Sequence, residues 1–172
     1  MLKRPELLSP AGNLTKLKIA LEYGADAVYG SVASFSLRTR SAREFNLETF
    51  KEAIDYTHEK GKKFYATINA FPFNSQIEPL KRHLQTISAM KPDAFIIATP
   101  VVMSLAKEIS PDIEIHLSTQ ANVMNVLDAK IYHDMGAKRI VVAREMNLKD
   151  VIKIKEEIPT LDIEIFVHGS MC

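Results

Sequence analysis

Cysteine is nearly absent from this chain, with one among 172 residues, at position 172. A single thiol excludes an internal disulfide framework and cannot by itself complete a zinc or iron-sulfur site. No run of about 18 apolar residues is present to cross a bilayer. The opening MLKRPELLSPAGN lacks the apolar core and small-residue cleavage site of a signal peptide, which sets the expectation of a cytoplasmic protein. Charge of one sign is also missing: 22 basic and 21 acidic residues leave a formal charge of +1, so any polyanion must be held by a local patch. No GxGxxG follows the first apolar run and no P-loop occurs, which removes the best support for a nucleotide-binding open sheet. GxSxG elbows and HExxH zinc motifs are absent too.

What is present is an alternation. Short β-branched or apolar runs, ELLS at 6–9, DAVYG at 26–30, KFYATIN at 63–69, DAFIIA at 93–98, IEIHLS at 113–118, KRIVVA at 138–143 and DIEIFVH at 162–168, are separated by helical patterns. Asn13 is a helix N-cap for LTKLKIALEY, and Gly24, Gly61 and Gly136 are helix stops. The junctions GADAVYG, KPDAFIIA and GAKRIVVA repeat one theme, in which a helix stops, one or two polar residues pass, and a buried strand begins. Seven strands in strict alternation with helices require a parallel sheet, either doubly wound or closed as a barrel.

Period-2 patterning favours the barrel. Ile113, Ile115 and Leu117 share one face of their strand while Glu114, His116 and Ser118 share the other, whereas an open parallel sheet is apolar on both faces. Tyr65, Thr67 and Asn69 oppose Phe64, Ala66 and Ile68, and Glu164, Phe166 and His168 oppose Ile163, Ile165 and Val167. The polar set is expected to face a barrel interior. The fold class is therefore α/β, a TIM-type (β/α)₈ barrel left incomplete at seven strands and six helices, with residues 1–172 as one partial barrel domain. A full barrel takes about 250 residues, and two open edge strands invite aggregation. The expectation is a missing C-terminal part or a partner subunit that completes the barrel.

Barrel sites lie at the C-terminal ends of strands. Those positions hold SPAGN at 9–13, the stretch from Gly30 to Arg43, Asn69, Thr99, STQAN at 118–122, Arg144 with Glu145, and HGSMC at 168–172. SPAGN either turns and caps a helix through Asn13 or presents a helix N-terminus to an anion. Arg38, Arg40 and Arg43 offer forks that suit phosphate or carboxylate, or belong to a solvated loop. Ser118, Thr119 and Gln120 supply hydroxyls and an amide to orient a polar substrate, with Asn69 and His116 on the same inward side. Arg144 and Glu145 read equally as a binding pair or a rim salt bridge. His168 with Cys172 could serve as a nucleophile pair or as metal ligands. His58 and His83 are expected on helix surfaces, and Met90, Met103, Met124 and Met135 as core fillers.

Together ELLSPAGN, GADAVYG, FSLR, GKKFYATIN, HLSTQANVMN, VVAREMNLKD and EIFVHGSMC resemble the N-terminal half of peptidase family U32, the collagenase-like peptidases. The resemblance covers essentially the whole chain and rests on the ordered combination of STQ, ARE and HGxxC. It implies oxygen-independent hydroxylation, of a wobble uridine in tRNA, a cytidine in ribosomal RNA or the ubiquinone ring, with prephenate as oxygen source in several cases. It also implies a 4Fe-4S cluster in some members, for which Cys172 would be the first of four ligands. By the same resemblance the other three would lie beyond this sequence, and ATPVV at 98–102 departs from relatives that often carry an acidic residue there.

Three functions follow as expectations. In an RNA hydroxylase acting on tRNA, Asn13, Arg38, Arg40 and Thr119 would bind substrate or donor. Asn69, His116, Ser118 and Gln120 would orient the ring, and Arg144, Glu145 and His168 would assist proton movement. In a collagenase-like protease, Ser118 near His116 or Cys172 near His168 would be the activated nucleophile. In a non-catalytic reading the barrel binds RNA or a second subunit.

Overall fold

The computed structural model describes residues 4–32, 35–36 and 45–169. Arg38, Arg40, Arg43 and Cys172 lie outside the described residues. Seven parallel strands run in sheet order β1 to β7: β1 Leu8–Pro10, β2 Ala27–Gly30, β3 Lys63–Ile68, β4 Ala94–Ile97, β5 Glu114–Leu117, β6 Arg139–Val141 and β7 Asp162–Glu164. The helices α1 Leu14–Glu22, α2 Leu47–Glu59, α3 Ile77–Ser88, α4 Pro100–Ile109, α5 Val126–Asp134 and α6 Leu148–Glu157 fill the crossovers. The sheet curls into an open, partial barrel, as the alternating pattern required.

Polar caps start most of the helices. Asn13, Asn46, Asn125 and Asn147 each accept the backbone N–H three residues on, and Thr99 does the same ahead of Pro100. The repeated junction has a physical basis. Gly24, Lys91 and Gly136 occupy equivalent places and all take positive φ, at 97°, 60° and 107°. Two residues later the N–H of Asp26, Asp93 or Lys138 donates to the preceding strand, at Leu7, Phe64 and Ile115. Asp26 and Asp93 also accept from the backbone N–H of Leu7 and Phe64, at 3.0 and 2.8 Å.

The main core lies between sheet and helices. Phe45, Phe50 and Phe64 meet edge to face there, with ring centroids 5.1 to 6.4 Å apart. Gly30 is part of this packing: a Cβ would stand 2.9 Å from both the Ala11 carbonyl oxygen and the Phe45 ring. A smaller cluster, Ala27, Tyr65, Ala94 and Ile96 with Leu8 and Tyr29, fills the inner face.

The same inner face carries a polar pairing across the barrel. The Glu6 carboxylate accepts from Arg139 Nη1 at 2.6 Å and from the Tyr65 hydroxyl at 2.8 Å. Burial alone would raise the Glu6 pKa, but these donors outweigh it and hold its carboxyl below the usual range. Tyr65 is driven upward, first by burial and then by its bond to Glu6. His116 is 1% exposed and meets the Tyr65 ring edge-on at 4.6 Å. Register places it level with Ile96 and Arg139.

Four details differ from the sequence reading. β7 stops at Glu164, whose carbonyl still accepts from the Val142 N–H at 3.1 Å, while the Ala143 N–H beyond it donates to Val123. Phe166, Val167 and His168 are consequently exposed. His83 is half-buried against the Phe35 ring at 5.3 Å, whereas His58 is exposed on α2 as expected, with a 2.9 Å hydrogen bond to Asp93. Met103 is buried and Met90 and Met135 pack on the core, but Met124 is 43% exposed.

Two measurements test this packing. Gly30→Ala overpacks the α2 side and is expected to cost about 1–3 kcal/mol, lowering the melting temperature by several degrees in a thermal scan. Burial, followed by the charges of Arg139 and Lys63, pushes His116 down to about 3, so it stays neutral in the folded state. Between pH 6.5 and 4.5 the unfolded state takes up a proton that the folded state refuses, and stability falls by up to about 1.4 kcal/mol per pH unit. His83, shifted down by burial, adds to this loss, and Glu164, shifted up by burial, offsets part of it. His116→Leu is expected to flatten that slope in denaturant titrations across this window.

Candidate functional site

The C-terminal ends of the strands surround a cavity of about 160 Å³. Its wall includes Ala11 and Gly12 after β1, Ser31 and Ser36 after β2, Thr67 and Asn69 of β3 and its exit, and Ile96 of β4. Ser118, Thr119 and Gln120 follow β5, Val141 and Arg144 belong to β6 and its exit, and Glu164 and Phe166 to β7 and its exit. Polar groups from the junctions therefore converge above the apolar inner cluster, on the side where barrel sites form.

The turn after β5 is fixed locally. Ser118 Oγ accepts from the Gln120 N–H at 3.3 Å, Asn122 adopts a left-handed φ of 54°, and the Thr119 hydroxyl donates to the Val142 carbonyl at 3.2 Å. The last bond stitches the β5 turn to the end of β6. Arg144 stacks its guanidinium over the Phe166 ring at 4.3 Å. Its Nε is buried and without a hydrogen-bond partner, as are Thr67 Oγ1 and Glu164 Oε2. Burial raises the Glu164 carboxyl above the usual carboxylate range, against the lowering pull of Arg139.

The cavity brings together Asn69, Ser118, Thr119, Gln120 and Arg144. Glu145 is exposed and forms no ion pair with Arg144. Asn13 caps α1 through a 2.9 Å bond from the Lys16 N–H. His116 sits in the closed layer underneath, where its Nε2 lies 3.4 Å from Glu114, and it makes no hydrogen bond to Ser118. His168 lines a neighbouring open cavity of about 320 Å³ that shares Arg144 and Phe166 with the first and includes Met146, Leu148 and Val151. Among the described residues no group of three or more His, Cys, Asp or Glu side chains could hold a metal ion. The sequence reading did not single out Thr67, Glu164 or Phe166 as site residues, although their inward alternation was visible.

Chemically, the cavity offers a cationic donor, a carboxyl, hydroxyls and amides around an apolar floor. That combination suits recognition of a polar ring or a small carboxylate.

Comparison with known proteins gives this arrangement a context. The sequence is 65% identical over 167 residues to the tRNA hydroxylation protein P of Helicobacter pylori, covering 97% of this chain and 40% of that protein. It is 34% identical over 169 residues to the 23S rRNA 5-hydroxycytidine C2501 synthase of Escherichia coli, covering 98% of this chain and 25% of that one. The chain thus spans less than half the length of these relatives. Among solved structures, the U32 peptidase Mk0906 superimposes with a TM-score of 0.75 over 96% of this chain and 70% of its own, at 16% identity, which shows a shared fold. No described helix is long and apolar enough to cross a membrane. The Peptidase family U32 profile matches residues 12–172, and the chain belongs to that family.

Proposed function

We propose that this chain forms most of the barrel of an enzyme that hydroxylates RNA, with tRNA as the substrate. The carrying observation is the rim cavity, in which buried donors and acceptors stand without partners above a sealed interior. Such atoms are costly to leave unpaired unless a ligand or water meets them. The relatives named for tRNA and ribosomal RNA hydroxylation supply the substrate class. In this reading Asn69, Ser118, Thr119, Gln120 and Arg144 hold and orient the reacting ring or a small carboxylate oxygen donor such as prephenate. Arg38 and Arg40 contact phosphate, and the protein works in the cytoplasm.

A 4Fe-4S cluster does not fit the described residues. They contain no cysteine, and Cys172 alone supplies one of the four thiolates required. Cys172 is proposed as one ligand, with the remainder of the longer polypeptide providing the others. A peptidase reading finds less support: Ser118 and His116 form no pair, and His116 is held neutral in a closed layer.

Two measurements test this. In tRNA from cells lacking the gene, mass spectrometry of nucleosides is expected to show loss of a species carrying one extra oxygen. It should return with the wild-type gene, and with Arg144→Ala be restored about tenfold to hundredfold more slowly, the worth of one charge-assisted hydrogen bond. The full-length protein purified without oxygen is expected to bind iron and absorb visible light, and Cys172→Ser to lose both. An unchanged nucleoside profile would sink the hydroxylase, and iron-free protein would sink the cluster.

A further inference from the structure

Among the described residues, four buried side-chain polar atoms lack a hydrogen-bond partner: Thr67 Oγ1, His116 Nδ1, Arg144 Nε and Glu164 Oε2. Three of the four belong to residues that line the one rim cavity. Unsatisfied buried polar atoms are rare in folded proteins and expensive, so their concentration in one place is itself information.

Glu164 is the least expected of them. It sits at the inner end of the cavity on β7, level with Val141. Arg139 is the nearest cation, but its Nη1 already donates to Glu6 at 2.6 Å and stands 3.7 Å from Glu164, beyond hydrogen-bond range. Glu164 and Arg139 thus form a loose ion pair without a hydrogen bond, and Oε2 keeps its accepting capacity. Were its role only to balance Arg139, a direct bond would be the stable arrangement.

We propose that Glu164, with Thr67 and Arg144, forms a subsite that reads the hydrogen-bonding edge of an uncharged nucleobase, its carboxylate accepting a ring N–H. The three groups have complementary capacities. The Arg144 Nε–H only donates, the Glu164 carboxylate only accepts, and the Thr67 hydroxyl does either. A ligand that satisfies all three must present both a carbonyl and an N–H, as the imide edge of uracil does. A carboxylate ligand would pair with Arg144 but would bring a second negative charge to Glu164. The opposite charges of Arg144 and Glu164 leave a neutral ring as the best-matched occupant. The Phe166 face beneath the Arg144 guanidinium keeps that arginine from swinging away. This subsite rests on the RNA reading above and goes beyond it by naming the residue that discriminates.

The test uses the full-length protein and two short single-stranded RNAs, identical but for one uridine replaced by N3-methyluridine, which lacks the ring N–H. Affinities are read by fluorescence anisotropy. Wild type is expected to bind the uridine RNA about tenfold or more tightly than the methylated one, because methylation strands a buried carboxylate. Glu164→Met should abolish that preference, Glu164→Gln should reduce it to a few-fold, and Thr67→Val should weaken uridine RNA binding while keeping the preference. Melting temperatures of the variants are recorded alongside. If wild type binds neither RNA, the RNA reading itself fails. If it binds both equally, or if the Glu164 variants keep the full preference, RNA binding stands and the Glu164 assignment is overturned. A large fall in melting temperature with the preference intact in both Glu164 variants would likewise overturn it, by giving Glu164 a structural partner in the rest of the polypeptide.

Discussion

The Glu6 carboxylate, shared between Tyr65 of β3 and Arg139 of β6, is the tie on which the curvature of the sheet depends. A flat seven-stranded sheet would hold these side chains far apart. Only a curled one brings the segment before β1 against the sixth strand. Removing Glu6 would cost Arg139, whose side chain is 13% exposed, the carboxylate it bonds, a loss softened by the water that reaches Glu6. What the pairing secures is geometry: it sets how far the barrel has closed and so where each strand end points.

Two polar layers result, and they differ in how their hydrogen bonds are met. In the lower one, Glu6, Tyr65 and Arg139 satisfy each other, while the neutral His116 keeps only its Nδ1 without a partner. In the upper one, Thr67, Arg144 and Glu164 keep atoms that nothing in the described chain satisfies. Ala27, Ala94 and Ile96 form an apolar cluster with Tyr65 on the same inner face. The same inward alternation thus produces a strut at one depth and a polar-walled cavity at another.

Much of this was legible in the sequence. Asparagine caps, helix-stopping glycines and period-2 strands gave the element order, and the mixed inward face of IEIHLS distinguished a barrel from an open sheet. Depth was not legible. A single strand shows that His116 and Ser118 point the same way, but only the register between strands reveals that His116 is level with Arg139 in the closed layer while Ser118 reaches the cavity. Glu164 was visible as inward-facing, yet its loose pairing with Arg139, which bonds Glu6 instead, is a fact of the folded sheet. The end of β7 was misread because alternation continues to His168, whereas the strand ends at Glu164, where its carbonyl accepts from Val142. Lys91 hid a helix stop that glycine announces elsewhere, since a lysine at φ 60° carries no sequence signature.

The tie between Glu6 and Arg139 also has a kinetic side, because it joins residues 133 positions apart. Closing a loop of that length carries a large entropic cost, and folds dominated by such distant contacts assemble slowly. On a ribosome adding roughly 5–20 residues per second, the early βα units emerge on the order of ten seconds before the arginine that fixes their curvature. During that interval Glu6 and Tyr65 await their cation, and the growing sheet is free to bend. The barrel's shape is thus set late in synthesis, by a residue that contributes nothing to the units already made.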